Sequence, residues 1–188
     1  MADSAEQNPC LLVAELKGRL HTREVGGQAV WSVTSAKAGN GVELLRDDRD
    51  DTYWQSDGAQ PHLVSINFSK KMRLAEIAVR LDYKKDESYT PSLLSIRAGT
   101  SDLDLKEIRA VQMSEPVGWL LVTLQPPGST GSLKANCLQL AVLANHQNGR
   151  DTHVRGIKVF APQQDAVQPL NQDVGFNTVH FSQYATLR

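Results

Sequence analysis

Residues 145–151 read Asn-His-Gln-Asn-Gly-Arg-Asp and concentrate side chains that could do chemistry. Two apolar runs, 139–144 and 156–160, flank the segment. Amide, imidazole and guanidinium groups form hydrogen bonds in fixed geometries. They suit recognition of a peptide backbone or a sugar, and do not by themselves suit bond breaking. The candidate recognition residues are Asn145, His146, Gln147, Asn148, Arg150 and Asp151.

Two alternatives would give this segment a more reactive chemistry. Zinc sites usually have His or Cys ligands at tight spacing, but His146 and His153 are well separated and no cysteine lies near them, so we predict no metal site. A hydrolase needs a nucleophile beside a base, yet the sequence has neither a G-x-S-x-G elbow nor a Gly-rich phosphate loop. The remaining enzymatic hypothesis pairs His146 with an aspartate, and the candidates are Asp57, Asp86 and Asp151.

A plain structural alternative is a solvated hairpin loop. In that interpretation Asn148-Gly149 forms the turn and Arg150 pairs with Asp151. A two-residue Asn-Gly turn would be enough to connect two strands. Because the polar segment is much longer than that, we favour a recognition surface.

Two further polar segments carry candidate binding residues. In DYKKDESYTPS, Ser88 and Tyr89 come just before Pro91, which favours an extended conformation for Thr90. The segment RDDRDDTYWQSDG begins with four closely spaced aspartates, at positions 47, 48, 50 and 51, without the alternation of an EF-hand loop, so it predicts no calcium site. There we expect Trp54 to fill the end of the core, and the rim candidates are Tyr53, Ser56 and Asp57.

The elements that must position these segments alternate with period two. In residues 62–69, Val64, Ile66 and Phe68 share one face and polar side chains share the other. The same alternation recurs in residues 76–82, 93–99, 119–124 and 137–143, between Gly- and Pro-rich turns. This pattern is typical of antiparallel strands and predicts a β-sandwich or jelly roll. Loops at one end of a sandwich cluster in space, so we expect the three polar segments to form one binding surface.

Helix is scarce outside two short segments. Residues 41–50 predict a short helical turn, and residues 10–20 predict an amphipathic N-terminal helix through Leu12, Leu16 and Leu20. From Gln163 onward the sequence is rich in Gln and Asn, which predicts an extended tail. A tail that ends in one apolar side chain, a guanidinium and a carboxylate is a compact ligand for a groove.

Bulk composition limits the classes of partner and compartment. At 188 residues and 40% hydrophobic content, the sequence suits one globular domain with tails. The net charge of −1 provides no field to attract nucleic acid or an anionic membrane, so neither is an expected partner. No apolar run could span a membrane, and acidic Asp3 and Glu6 are unlike a signal peptide. We therefore expect a protein of the nucleus and cytoplasm.

The polar segments together resemble the DOC-domain family, and within it the small DOC-domain subunits of the anaphase-promoting complex (cyclosome), a ubiquitin ligase. The likeness lies in TYWQSDG, LDYKKDESYTPS and NHQNGRDTH. The resemblance implies a galactose-binding-like β-sandwich (jelly roll) that is not an enzyme and needs no cofactor. It divides the chain into an N-terminal tail or helix, a DOC domain and a C-terminal docking tail, over residues 1–21, 22–162 and 163–188.

The resemblance also implies a function in cell division. Such a subunit acts as a co-receptor with a propeller-type activator, holds the destruction-box degron of substrates such as cyclins, and raises the processivity of ubiquitination in mitosis. The degron-binding residues that it implies are Ser88, Tyr89, Asn145, His146, Gln147, Asn148, Arg150 and Asp151.

The C-terminal dipeptide is a second feature that the resemblance explains. The family's tail ends in Ile-Arg and docks in a tetratricopeptide-repeat scaffold subunit. This chain ends in Leu187-Arg188, which keeps apolar volume and charge, so we expect the same docking. A carbohydrate-binding β-sandwich module is the alternative function, because a sandwich with a loop site also suits sugars.

Overall fold

The computed structural model describes residues 10–11, 22–125 and 132–163. In these residues the strands are β1 (Cys10–Leu11), β2 (Thr22–Glu24), β3 (Ala29–Val33), β4 (Trp54–Gln55), β5 (His62–Leu74), β6 (Glu76–Asp82), β7 (Pro91–Gly99), β8 (Lys106–Gln112), β9 (Val117–Thr123), β10 (Leu133–Asn145), β11 (His153–Val154) and β12 (Gly156–Pro162). One short α-helix is described, α1 (Tyr83–Asp86). The 3-10 helices are Gly26–Gln28, Val42–Leu45, Glu87–Tyr89 and His146–Asn148.

Two five-stranded sheets form the body of the described chain. One sheet has the order β1-β9-β6-β12-β2 and the other β3-β5-β10-β7-β8, while β4 and β11 form a short ribbon. Every pairing is antiparallel. The predicted all-β sandwich is therefore confirmed.

The alternation in the sequence forms the core between the sheets. On β5, Val64 and Ile66 are fully buried and Phe68 is 6% exposed, while the intervening residues are less buried. Opposite them, Ile77, Val79 and Leu81 of β6 lie in the same apolar cluster. Facing strands whose apolar side chains alternate in this way pack as a sandwich.

Three predictions about local structure have different outcomes. Trp54 is fully buried as expected, and its indole N–H donates to the Ser35 carbonyl at 3.0 Å. The predicted helical turn in residues 41–50 is the 3-10 helix Val42–Leu45. The predicted N-terminal helix is wrong at its start, because Cys10 and Leu11 form β1 and pair with the edge strand β9. The rest of that helix, and the tail from residue 164 onward, lie outside the described residues.

Strand register places the polar segments at one end of the sandwich. His62 at the start of β5 lies opposite Val142, near the end of β10. Asn145 ends β10 opposite Pro91, where β7 begins. In the other sheet, Gly156 at the start of β12 pairs with Arg80 near the end of β6. Residues 83–90 then connect β6 to β7 across this end. We call this end of the sandwich the loop pole.

Within the described ranges, no helix is long and apolar enough to cross a membrane.

Candidate functional site

The three polar segments meet at the loop pole. The backbone N–H of His146 donates to the Thr90 carbonyl at 2.9 Å. The hydroxyl of Thr152 donates to the Tyr89 carbonyl at 3.3 Å, and the backbone N–H of Ser56 donates to the Thr152 carbonyl at 3.1 Å. The expectation that these segments share one end of the sandwich is therefore confirmed.

Gly149 fixes the contact between residues 83–90 and 145–153. A Cβ atom at this position would overlap the carbonyl oxygen of Ser88 and lie 2.7 Å from its carbonyl carbon. The φ of Gly149 is −56°, so this close approach, and not an unusual backbone conformation, requires glycine. Gly149 thus lets two backbones pack directly against each other.

The turn of this loop lies one residue earlier than the solvated-hairpin alternative requires. Gln147 and Asn148 adopt left-handed conformations, with φ of 52° and 56°. The Asn148-Gly149 turn of the solvated-hairpin alternative is therefore not observed, since the left-handed pair lies one residue earlier. The structure describes both Arg150 and Asp151, and no ion pair joins them, so the ion pair of the solvated-hairpin alternative is absent as well.

Two buried side chains and one exposed side chain hold the backbone of the loop. The Asn145 amide Nδ2 donates to the carbonyls of Gly149 at 3.1 Å and Asp151 at 2.8 Å. His62 Nε2 donates to the Arg150 carbonyl at 2.8 Å, and Gln60 Nε2 donates to the Gly149 carbonyl at 3.0 Å. Because these carbonyls are satisfied internally, the loop keeps one conformation before any partner binds.

His146 belongs to the same internal support. Its Nδ1 donates to the Thr90 carbonyl at 3.0 Å, and its Nε2 accepts from the backbone N–H of Glu115 at 3.2 Å. These bonds assign a neutral ring with the proton on Nδ1. Its ring centre also lies 4.9 Å from that of Tyr83. Since neither nitrogen is available as a general base, the geometry does not support the hydrolase hypothesis built on His146.

His153 lies between two tyrosine rings. Its ring centre is 4.1 Å from that of Tyr53 and 4.3 Å from that of Tyr89, with interplanar angles of 25° and 15°. Its Nδ1 donates to Asp86 Oδ1 at 3.1 Å. Offset stacks of this kind stabilise ring pairs beyond the burial of their area. The histidine therefore fixes both tyrosines, which come from different segments.

Asp86 is the buried anion that connects the segments. Arg155 donates to it from Nε at 2.7 Å and from Nη2 at 2.6 Å, and only 4% of Asp86 is exposed. Burial has the largest single influence on the pKa of Asp86, and it raises that pKa. The hydrogen bonds from His153 and Arg155 and the Arg155 charge together hold the pKa of Asp86 below its ordinary value of 3.8. Arg155 also donates from Nη1 to the Asp50 carbonyl at 3.2 Å, which ties in the third segment.

Sequence reasoning did not identify this buried network of Asp86, His153 and Arg155. The sequence suggested Asp86 only as a possible partner of His146 in a hydrolase, and His153 only as a possible zinc ligand. Their partnership depends on the crossing of residues 83–90 over the loop pole, which no local spacing encodes. A signal was present in Arg155, which lies between Val154 and the apolar run 156–160, since a guanidinium at the start of a buried strand needs a partner.

The predicted binding residues divide into exposed and buried groups. Among them, Gln147, Asn148, Arg150 and Asp57 are exposed, and Tyr89 is 41% exposed. Tyr53, Ser88, His146 and Asp151 are partly exposed. The rim position predicted for Ser56 is wrong, because Ser56 is fully buried and its Oγ accepts the Thr152 N–H at 2.8 Å. Asn145, 6% exposed, is likewise a support and not a surface contact.

Leu187 and Arg188 lie outside the described residues. No cluster of three or more His, Cys, Asp or Glu side chains that could hold a metal ion occurs in the part of the chain that the structure describes.

Comparison with known families places the chain. A family model described as "Anaphase-promoting complex, subunit 10 (APC10)" matches residues 4–186. The chain belongs to this family. Members from distant organisms match over most of their length: the subunit 10 of Drosophila melanogaster is 49% identical over 185 residues, covering 98% of this chain and 92% of that protein. The human subunit 10 is 46% identical, covering 88% of each chain.

The fold of this subunit 10 family member is also found in solved structures of other proteins. A family 32 carbohydrate-binding module of Clostridium perfringens NanJ, in complex with galactose, matches with a TM-score of 0.61 at 14% identity, covering 74% of this chain and 98% of that one. The CBM32-1 and CBM32-2 domains of C. perfringens ZmpB match with a TM-score of 0.65 at 12% identity, covering 86% of this chain and 43% of that one. At such identities the likeness concerns the galactose-binding-like sandwich alone.

Proposed function

We propose that this chain is a non-catalytic substrate-recognition subunit of the anaphase-promoting complex, in which it binds destruction-box degrons together with a propeller-type activator. Membership of the subunit 10 family supports the first part, since the relatives are named as subunits of that complex. The geometry of the loop pole supports the second part. The protein acts in the nucleus and cytoplasm, where mitotic substrates such as cyclins are found.

The observation that carries the proposal is an exposed set of hydrogen-bonding side chains on a backbone that the fold holds fixed. Gln147, Asn148 and Arg150 are exposed on a loop supported by Asn145 and His62. Gln147 Nε2 also donates to the Tyr83 hydroxyl at 3.2 Å, which leaves its carbonyl oxygen as an acceptor. An extended peptide has an unpaired N–H and C=O at each residue, and amide and guanidinium groups can pair with them. A fixed loop loses little entropy when it binds such a peptide.

Tyr89 adds an apolar contact beside these polar groups. It is 41% exposed, and one face of its ring is held by His153. Tyrosine supplies large contact area with few rotatable bonds, which favours its use at binding surfaces. Asn145, Ser56 and His146 then act by positioning the loop, while the exposed residues contact the degron.

A second receptor explains why a small patch is enough. Each net hydrogen bond contributes only about 1 kcal/mol, so this surface alone binds a degron weakly. An activator bound alongside raises the effective concentration of the degron and slows its release. A longer residence time allows more ubiquitin transfers per encounter, which is processivity.

The C-terminal dipeptide forms the link to the ligase. Leu187 supplies an apolar side chain, and Arg188 supplies a guanidinium. A groove of a tetratricopeptide-repeat scaffold subunit can bind such a ligand through one pocket and a few charge-assisted hydrogen bonds. Docking and degron binding then use separate parts of the chain.

The test is a reconstituted ligase with Gln147→Ala/Arg150→Ala, assayed for ubiquitin-chain length on a cyclin in single encounters. We expect shorter chains with normal assembly, because only exposed contacts are removed. The matched control is Gln28→Ala/Arg109→Ala, which removes an exposed amide and an exposed guanidinium away from the loop pole. Unchanged chain length in the loop variant would refute the co-receptor role.

Carbohydrate binding is the second candidate function. It comes from the solved structures, some of which hold galactose or related sugars in the same fold. Stacked aromatic rings such as Tyr53 and Tyr89 at the loop pole are also compatible with sugar contacts. Titration of the purified chain with galactose and N-acetylgalactosamine decides the matter. Millimolar or tighter binding that Tyr89→Ala abolishes would favour the sugar function over the degron function.

A further inference from the structure

A basic cleft lies at the end of the sandwich opposite the loop pole. It forms where β5 and β12 end, where β10 begins, and beside β2. Its volume is about 430 Å³, and its lining residues are Arg23, Lys70, Lys71, Met72, Arg73, Lys134, Ala161 and Pro162. Five of these residues are cations, and no carboxylate is present among the described lining residues. This local charge contrasts with a net charge of −1 for the chain.

Strand register forces two of the cations together. Arg73 on β5 lies directly opposite Lys134 on β10. Like charges directly opposite each other on neighbouring strands destabilise a sheet. No hydrogen bond or ion pair joins the side chain of Arg73 or Lys134 to another described residue. An anion bound between them would relieve this repulsion.

A bulge in β5 brings two more cations to the same place. Asn67 pairs with Cys137 and Met72 pairs with Ala135, so residues 68–71 of β5 lie opposite the single residue 136 of β10. Extra residues in one strand bend it and redirect its side chains. Lys70 and Lys71, both exposed, lie in this bulge. The excess of residues is thus confined to the part of β5 that borders the cleft.

The floor of the cleft is apolar. Met72 is 7% exposed and Ala161 is 3% exposed, with Pro162 beside them. An apolar floor with a cationic rim suits a peptide that combines carboxylates with aliphatic side chains. It suits single-stranded nucleic acid less well, because none of the lining residues is an aromatic ring on which a base could stack.

We propose that this cleft binds an acidic segment of another protein chain. The segment contains aspartate or glutamate residues that contact Lys71, Arg73 and Lys134, interspersed with aliphatic residues that contact Met72. The site is independent of the loop pole, since β5 has 13 residues between the two ends, and a strand of that length spans roughly 40 Å. Both surfaces can therefore be occupied at once.

A binding assay on the full chain tests the charge complementarity. The probe is a fluorescein-labelled peptide of alternating glutamate and leucine residues, followed by fluorescence anisotropy. The cleft variant is Lys71→Glu/Arg73→Glu/Lys134→Glu. The matched control, Lys37→Glu/Lys106→Glu/Arg109→Glu, makes the same charge change at exposed residues outside the cleft. Thermal unfolding of all three proteins checks that each is folded.

We expect the cleft variant to bind the peptide at least roughly tenfold more weakly than the control variant, and binding to weaken as salt rises. Equal affinities in the two variants would overturn the proposal. Tighter binding of a single-stranded oligonucleotide of equal charge than of the acidic peptide would also overturn it, as would tighter binding of phosphatidylserine vesicles. So would complete displacement of the peptide by millimolar inorganic phosphate.

Carbodiimide crosslinking of the assembled ligase tests the source of the segment. This reagent joins lysine amines to carboxylates that are in direct contact. Attachment of Lys70, Lys71 or Lys134 to an acidic segment of a neighbouring subunit would support the proposal. Attachment to carboxylates of this chain, or no attachment at these lysines, would overturn it. Neither result depends on degron binding, so this experiment tests the cleft separately from the proposed co-receptor function.

Discussion

Gly149 packs against the backbone of Ser88 so closely that a Cβ atom on residue 149 would overlap the Ser88 carbonyl oxygen. Ser88 belongs to the crossing between β6 and β7, and Gly149 belongs to the polar loop after β10. The two segments therefore form one unit. Exposed side chains on either segment keep a fixed position relative to those on the other.

Gly149→Ala should separate these two segments. The added methyl group meets backbone, which can move only if the loop shifts, so we expect a loss of about 1–3 kcal/mol of unfolding free energy and weaker degron binding. Urea unfolding and a reconstituted ubiquitination assay measure the two effects. The control is Gly27→Ala, where the nearest atom to the new Cβ is the flexible Arg46 side chain at 3.6 Å. If Gly149→Ala behaved like that control, the close backbone contact between Gly149 and Ser88 would not exist.

Asp86→Asn should destabilise the chain and change its response to acid. The variant leaves Arg155 buried without its anion, which costs roughly 3–5 kcal/mol at neutral pH. The pKa of Asp86 is lowered on folding, so its contribution is fully present above the ordinary value of 3.8 and is lost as pH falls through the lower folded value. Wild-type stability should therefore fall in acid more steeply than that of Asp86→Asn. Urea unfolding at pH 7 and across the acid range measures both quantities.

A matched variant makes this acid test specific. Asp57→Asn removes an exposed carboxylate from the same end of the sandwich and should change stability by less than about 0.5 kcal/mol. A wild-type acid profile identical to that of Asp86→Asn would mean that Asp86 does not stabilise the loop pole through its charge.

His153→Ala should loosen both tyrosines that the ring supports. The change leaves a gap between Tyr53 and Tyr89 and removes one hydrogen-bond donor from Asp86, so we expect a loss of about 2–4 kcal/mol. Urea unfolding provides the value, and the mobility of Tyr89 can be followed by NMR relaxation of its ring. Arg150→Ala, an exposed change in the same loop, should stay within about 0.5 kcal/mol of wild type. Equal stability of the two variants would show that the stack contributes nothing.

The sequence predicted the strands better than the loops. Val64 and Ile66 alternate with polar neighbours, and burial of one face follows directly from that pattern. Cys10 and Leu11 form a strand through pairing with β9, a tertiary contact that their local helical periodicity does not encode. A strand pattern is a property of the segment itself, whereas an edge pairing depends on the rest of the fold.

The sequence predicted the location of the candidate site, but not which of its individual residues are exposed. Asn145 and Gln147 are both amides two positions apart, yet Asn145 is buried and Gln147 is exposed. The difference arises because Asn145 ends β10 facing inward, while left-handed Gln147 turns the chain away from the sandwich. Asp86 and Arg155 are distant in sequence, so only the folded chain shows that they pair.

Removal of Leu187 and Arg188 should weaken incorporation into the ligase without unfolding the sandwich. The dipeptide is the predicted ligand of a tetratricopeptide-repeat subunit, and it follows β12, the last strand among the described residues, by more than twenty residues. Co-purification with the scaffold measures incorporation, and thermal unfolding measures the domain. Leu187→Ile serves as the conservative control, since it keeps apolar volume. Unchanged co-purification after the deletion would contradict docking through the tail.

The central claim is that the loop pole contacts the degron directly. A destruction-box peptide with a photoreactive group, bound to the assembled ligase and its activator, tests it most directly when the attachment sites are mapped by mass spectrometry. The account predicts attachment within residues 145–151 and at Tyr89. Attachment to the activator alone, or to this chain only at sites away from the loop pole, would contradict it.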